Sequence, residues 1–288
     1  MYKFSFVILH FKNLKDTIKC IQSIMETILY SNYNIVIVDN GSNDGSGEYL
    51  KKLYKDRNYI NVIIKSENLG FAKGNNIGYK FAKYDLNADF ICLLNNDIII
   101  AQVNFIEKCI ELYESKKYFV IGPDVISLVD NNHQNPHGLH VATKKSVMKT
   151  MIKCLIMLIA TYLPFYNFLL KRLKNRKTIR SDHYMNEMEG VVLHGSCLVF
   201  SMKFIQISDG LFDKTFMYGE EEILLYLCIK GNMKILYSPE LFIYHNEGAS
   251  TMHVLSGSIN RKRRFYFRNK IKSSYEFLKL MLFSNTYI

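Results

Sequence analysis

Residues 34–46 read NIVIVDNGSNDGS. Ile35, Val36, Ile37 and Val38 form a β-branched apolar run, the mark of a strand buried on both faces. The run stops at Asp39, and Asn40-Gly41-Ser42 is a turn signal. Outward from here the same unit repeats. Residues 4–9 form a short apolar strand. Residues 14–30 carry Leu14, Ile18, Ile21, Ile24, Met25 and Ile28 at helical spacing. Downstream, residues 47–54 read as a helix, 60–64 as a strand and 74–84 as a helix. Residues 89–94 (DFICLL) read as a fourth strand, stopped by Asn95-Asn96-Asp97. Apolar strands alternating with helices predict an α/β fold: a Rossmann-like, mostly parallel sheet with helices on both faces. Ligands of such sheets bind beyond the carboxyl ends of the strands. In this reading His10, Asp39, Glu67-Asn68 and Asn95-Asn96-Asp97 all lie there.

The second half has a different texture. Residues 144–180 are basic and apolar, and read as a helical insert. Residues 191–200 read as another buried strand, built around His194-Gly195-Ser196. Residues 212–222 are aromatic and acidic and lead into a helix. Residues 235–244 contain a strand that ends before His245. The predicted organisation is a first part over residues 1–100, a second over 101–250 that carries the insert, and a helical tail over 251–288.

Over 288 residues, 49% hydrophobic and 22% charged side chains exclude a disordered or low-complexity chain. The net charge of +11 suits phosphorylated ligands, an anionic membrane surface or nucleic acid. The six cysteines form no CxxC pair, so a zinc ribbon is not expected, and they read as reduced core residues. The N-terminal residues have no long apolar run and predict no secretory signal. The longest apolar run, residues 154–170, contains Thr161, Tyr162, Pro164 and Asn167 and falls short of a clean spanning helix.

Five segments could carry chemistry. Asp39 with the turn after it can present a carboxylate and amides to a nucleotide, although alone it reads as an ordinary βα turn. ENLGFAKGNNIG, residues 67–78, has three glycines that allow close backbone approach, a helix N-terminus that favours phosphate, and the cation of Lys73. It is neither a Walker loop nor GxGxxG. In LLNNDIII, Asp97 is a hard oxygen ligand for Mg²⁺ or Mn²⁺, or simply part of a polar turn. In FMYGEEE, Glu220, Glu221 and Glu222 open a helix whose dipole favours acids. Crowded against Phe216, Met217 and Tyr218, such a carboxylate has the raised pKa that suits a general base. In YHNEGAS, residues 244–250, His245 is either a metal ligand or a capping residue.

Together these segments, with LHGSCLVFS and RRFYFRNK, resemble the family 2 glycosyltransferases of the GT-A fold, and among them the bacterial rhamnosyltransferase-like members. The resemblance implies an inverting transfer of a sugar from a nucleotide-diphosphate donor, dTDP-rhamnose or a UDP-sugar, to a glycan or lipid-linked acceptor. It also implies that residues 1–100 are the nucleotide-sugar-binding part and 101–250 the acceptor-binding and catalytic part of one GT-A domain, and it implies roles for single residues. His10 and Asp39 would lie at the base. Asn68, Gly70, Lys73 and Asn76 would follow the ribose and diphosphate. Asn95-Asn96-Asp97 stands where the family has DxD, so Asp97, completed by His245, would hold Mg²⁺ or Mn²⁺, with Asn96 beside the donor. Glu220-Glu221 stands where the family has Glu-Asp, so Glu221 would be the base, with Glu220 or Glu222 as alternatives.

The basic and apolar run of residues 144–180 reads as a packed helical excursion with a solvated basic face, as an acceptor contact, or, together with Arg261-Lys262-Arg263-Arg264, as attachment to an anionic membrane surface rather than a span; the last is expected. The expected location is cytoplasmic, at the inner face of the membrane. Two rival readings stand beside the transferase. A metal-dependent nucleotidyltransferase would want more metal-binding acids near the nucleotide. A nucleic-acid-binding protein is supported by charge alone, with no recognition motif, and no nucleic-acid partner is expected.

Overall fold

The computed structural model describes residues 1–163, 182–246 and 259–283. Among these, nine strands form one mixed sheet flanked by helices. The elements are β1 (Phe4–His10), α1 (Leu14–Thr27), β2 (Tyr33–Asn40), α2 (Ser46–Leu53), β3 (Ile60–Lys65), α3 (Phe71–Lys80) and β4 (Phe90–Asn95). They continue with β5 (Ile98–Ile99), α4 (Phe105–Lys116), β6 (Val120–Ser127), α5 (Lys144–Ala160), β7 (Met188–Glu189) and β8 (Cys197–Phe200). The chain closes with α6 (Met202–Ile207), α7 (Glu220–Lys230), β9 (Ile235–His245) and α8 (Ile259–Phe283).

The strand order is β3-β2-β1-β4-β8-β6-β9-β5, with β7 on β9. β1, β2, β3 and β4 are parallel, as the repeated βα units predict. Successive side chains of a strand alternate between faces, and both faces of this region are buried. Phe4, Phe6, Ile8, Ile35 and Ile37 pack with Ile21 and Ile24 of α1. Val7, Val36 and Val38 pack with Ala72 and Tyr79 of α3. Fully burying each such side chain contributes about 1.5–3 kcal/mol, which is why these strands read as unbroken apolar runs.

The second half of the sheet differs from the sequence reading. The strand expected over residues 191–200 is confined to Cys197–Phe200, antiparallel to β4. Residues 191–196 are instead a largely buried connection. Its backbone is satisfied by a neighbouring loop: His137 N–H donates to Val192 O, and His194 N–H donates to Asn135 Oδ1. β5 runs antiparallel to the end of β9 and sets Ile98 opposite His245. α5 and α8 pack together. Arg264 donates to the Thr161 hydroxyl and carbonyl, and its guanidinium lies 3.8 Å from the Tyr162 ring centroid. Residues 164–181 of the predicted insert, including Pro164, Asn167, Lys171, Arg172, Lys174, Arg176 and Lys177, lie outside the described residues. All six cysteines are buried and free.

Candidate active site

Because β1 to β4 run parallel, their carboxyl ends share one edge of the sheet, and a cavity of about 530 Å³ opens there. This is the size range of small-molecule sites. It is lined by Asn40, Asn68, Gly70 and Asn96, by Glu220 and Glu221 from the start of α7, and by Tyr266 and Lys270 of α8. Of the predicted site residues, Asn68, Gly70, Asn96, Glu220 and Glu221 line this cavity, whereas His10, Asp39, Lys73, Asn76, Asp97 and His245 do not.

The asparagine wall is a network. Asn40 Nδ2 donates to Asn68 Oδ1 and to Gly70 O, both at 3.1 Å, and Asn40 Oδ1 accepts from Leu69 N–H at 3.0 Å. Asn40 thus holds the loop ahead of α3 to the end of β2. In the sequence it was legible only as a turn residue. Gly70 has φ +85°, and a Cβ there would stand 2.3 Å from Phe216 O. The glycine therefore lets this loop meet the segment before α7. A Cβ on Gly74 would meet Leu9 and Asn40, and one on Gly78 would meet Val7 and Val38. The close approach that these two glycines allow is that of α3 to β1 and β2. Lys73 is exposed on the first turn of α3. Asn76 is committed to the fold: its side chain makes two hydrogen bonds with the backbone of Leu211, at 2.7 and 2.8 Å.

His10 is fully buried beneath the site. Its Nδ1 lies 2.7 Å from Thr17 Oγ1 and its Nε2 2.7 Å from Ser46 Oγ, so neither ring nitrogen faces the cavity. Burial pushes this imidazole below its ordinary value, against the pull of Asp39 and Asp44. Asn96 joins the same network by donating to Thr17 Oγ1 at 2.9 Å. Asp39 is buried at the end of β2, and its Oδ1 accepts from Ser42 N–H at 3.1 Å.

Asp97 and His245 are brought together by the β5–β9 pairing. Asp97 Oδ1 is buried without a hydrogen-bond partner, and His245 Nε2 lies 3.4 Å from it. His245 Nδ1 lies 2.7 Å from Gln134 Oε1. An amide oxygen only accepts, so Nδ1 carries a proton, and in the neutral ring Nε2 offers its lone pair on the side of the carboxylate. An orphaned carboxylate oxygen beside an imidazole lone pair fits a divalent cation, which takes few protein ligands when phosphates complete its shell. No cluster of three metal-ligating side chains occurs among the described residues.

Glu220 and Glu221 stand at the N-terminus of α7, after Tyr218 and Gly219, which both have positive φ. Glu220 is buried, and burial, with Glu221 adding, pushes its carboxyl up to about 7. Glu221 is less buried and packs on the backbone of the 191–196 connection: a Cβ on Gly195 would stand 2.6 Å from Glu221 Oε1. Glu222 points elsewhere, pairing with Lys270 at 3.0 Å. Sequence reasoning missed Asn40, His194 and Lys270. Lys270 ends the quoted RRFYFRNK motif, whose side-chain roles needed the α8 position. His194 sat inside an expected strand. Burial, with His137 and His245 adding, pushes His194 down to about 3, so it is a neutral ring.

A polar cavity at the carboxyl ends of parallel strands is where open α/β sheets bind their ligands. The sequence profile of glycosyl transferase family 2 matches residues 5–179, and the chain belongs to that family. It is 25% identical over 243 residues to the low-salt glycan biosynthesis hexosyltransferase Agl10 of Haloferax volcanii, covering 84% of this chain and 67% of that one. It is 28% identical over 107 residues to the glycosyltransferase GlyG of Streptococcus pneumoniae, covering 37% of this chain and 34% of the relative. The crystal structure of S. aureus TarS 1-349 superposes with a TM-score of 0.54 at 12% identity, covering 98% of this chain and 75% of that one. That likeness shows the GT-A fold. The chain is therefore a glycosyltransferase of family 2.

Proposed function

We propose that this glycosyltransferase moves a hexose from a nucleoside-diphosphate sugar to a hydroxyl of a glycan or lipid-linked acceptor, with inversion at the anomeric carbon, in surface polysaccharide synthesis. The observation that carries the reading is that Glu220 and Glu221 line the same cavity as the strand-end asparagines. TarS has been crystallised with UDP and with UDP-GlcNAc, which favours a UDP donor, whereas the motif resemblance favours dTDP-rhamnose.

In this reading Asp39 marks the base end of the donor site, and Asn68 and Gly70 lie along the ribose and diphosphate. His10 and Asn76 support that wall from behind. Asp97 and His245 would hold Mg²⁺ or Mn²⁺, and the ion would neutralise charge on the leaving diphosphate. The lysine on the cavity wall is Lys270 rather than Lys73. Glu221 takes the proton of the acceptor hydroxyl. The acceptor oxygen bonds to the anomeric carbon as the bond from that carbon to the phosphate oxygen breaks. The electron pair of the broken bond leaves with the nucleoside diphosphate.

Attachment to an anionic membrane surface is part of the proposal. α5 exposes Met148, Ile152, Leu155, Ile156 and Ile159 beside Lys149 and Lys153. Among the described residues no helix is long and apolar enough to cross a membrane.

The test is a panel of UDP-glucose, UDP-galactose, UDP-GlcNAc and dTDP-rhamnose, with and without Mn²⁺, read by release of nucleoside diphosphate. One donor is expected to turn over in the presence of metal. Glu221→Gln is expected to bind that donor normally and to lose roughly 10²–10⁴-fold in transfer, as removal of a general base does. Full turnover in Glu221→Gln would move the base to another residue. Inertness of the wild type toward every donor would overturn the donor reading.

A further inference from the structure

Three histidines meet at the cavity. The rings of His137 and His194, and those of His194 and His245, have centroids 5.6 Å apart in edge-on contact. His137 and His194 line the cavity. His245 is half of the pair that fits a cation. Next to His194 in the chain is Gly195, against which Glu221 packs.

The protonation pattern of His194 follows from its partners. Ser196 N–H donates to His194 Nδ1 at 3.2 Å, and Ser196 Oγ lies 2.8 Å from the same nitrogen. A backbone amide can only donate, so Nδ1 holds a lone pair and the ring proton sits on Nε2. His245 has the opposite arrangement, with its proton on Nδ1. Two rings in contact therefore do different work: one offers a lone pair suited to a cation, the other an N–H donor. A ring with its proton on Nε2 and its Nδ1 lone pair already used is not a metal ligand.

In an in-line displacement the transferred sugar lies between the leaving diphosphate and the base. His194 adjoins the residues assigned to both ends: its ring touches that of His245, and the residue after it, Gly195, packs on Glu221. We propose that His194 is a specificity residue that donates its Nε2–H to a hydroxyl or ring oxygen of the transferred sugar. The proposal rests on the nucleotide-sugar reading above and goes beyond it by assigning a residue to the sugar itself.

Binding separates the sugar from the rest of the donor. UDP, UDP-GlcNAc, UDP-glucose, dTDP and dTDP-rhamnose are titrated by calorimetry, with Mn²⁺, into the wild type, His194→Ala, His194→Phe and His194→Gln. For the nucleotide sugar that the wild type binds best, Ala and Phe should each weaken binding about 3- to 10-fold, the loss of one neutral hydrogen bond. The Kd of the matching bare nucleotide should stay within about twofold of the wild type, since no contact to it is lost. Gln, which keeps an N–H donor, should recover most of the loss. Phe keeps a ring of similar size, so a packing defect in Ala alone would show as a difference between the two. Equal weakening of nucleotide and nucleotide sugar, unchanged sugar affinity, or a Gln variant no better than Ala would each overturn the role of His194. A wild type that binds UDP or dTDP but gains nothing from any attached sugar would also overturn it. Failure of the wild type to bind any nucleotide would overturn the donor reading itself, and this assignment with it.

Discussion

Glu220 and Glu221 are adjacent in the chain and unlike in setting. Glu220 is 5% exposed and its Oε1 has no hydrogen-bond partner. Burial, with Glu221 adding, raises its carboxyl from 4.5 to about 7. The sign of the consequence follows from linkage. Between those two values the folded protein binds more protons at Glu220 than the unfolded chain does, so stability falls as pH rises through that window. Glu220→Gln removes the titration. The melting temperature of the variant, measured against wild type, should rise progressively between about pH 5 and about pH 8. A difference that does not change with pH would mean that Glu220 is ionised in the folded state. Near neutrality Glu220 holds much of its proton.

At the scale of elements, α3 shows how a polar-looking motif serves packing. Its glycines face the sheet, and a Cβ on Gly78 would stand 2.4 Å from Val7 Cγ1 and 2.9 Å from Val38 Cγ2. Both valines are fully buried in parallel strands and have no room to move aside. Gly78→Ala should therefore destabilise the protein by about 1–3 kcal/mol, even though alanine is the better helix former by roughly 0.8–1 kcal/mol. Urea unfolding checks this: the midpoint should fall, and a midpoint that rises would show that helix propensity outweighs the clash. The same close approach fixes the loop that Asn40 grips, so packing on the sheet sets the position of the cavity wall.

At the scale of the whole molecule, α8 joins the cavity to a basic and apolar flank. One part of this helix places Tyr266 and Lys270 on the cavity wall, and Arg264 clamps the end of α5. The net charge of +11 and the exposed isoleucines and lysines of α5 belong to the same side of the argument. The protein should co-sediment with vesicles containing phosphatidylglycerol, less with pure phosphatidylcholine, and detach in part at high salt. Each lysine near an anionic surface contributes roughly 1 kcal/mol. Replacing Ile152 and Ile156 by Asp, with Lys149 and Lys153 by Gln, should reduce sedimentation without loss of nucleoside diphosphate release. Undiminished sedimentation of that variant would place the membrane contact elsewhere.

The sequence by itself determined the parallel half of the sheet, because each strand there is buried on both faces and reads as a continuous apolar run between turn residues. It also put His10, Asp39, Asn68, Asn96 and Asp97 at the carboxyl edge, since parallel strands bring their ends and the residues that follow them to one side. It could not separate residues that face a ligand from residues that hold the edge together. His10, Asn76, Gly74 and Gly78 have the composition of a binding loop, yet their surroundings are protein. It could not show residues 191–196 as a connection, because their backbone partners come from the distant loop of Asn135 and His137. Only the tertiary structure set Ile98 opposite His245 and laid Gly195 against Glu221. Those contacts depend on strands and helices far apart in the chain, and local pattern carries no record of which distant element will become a neighbour.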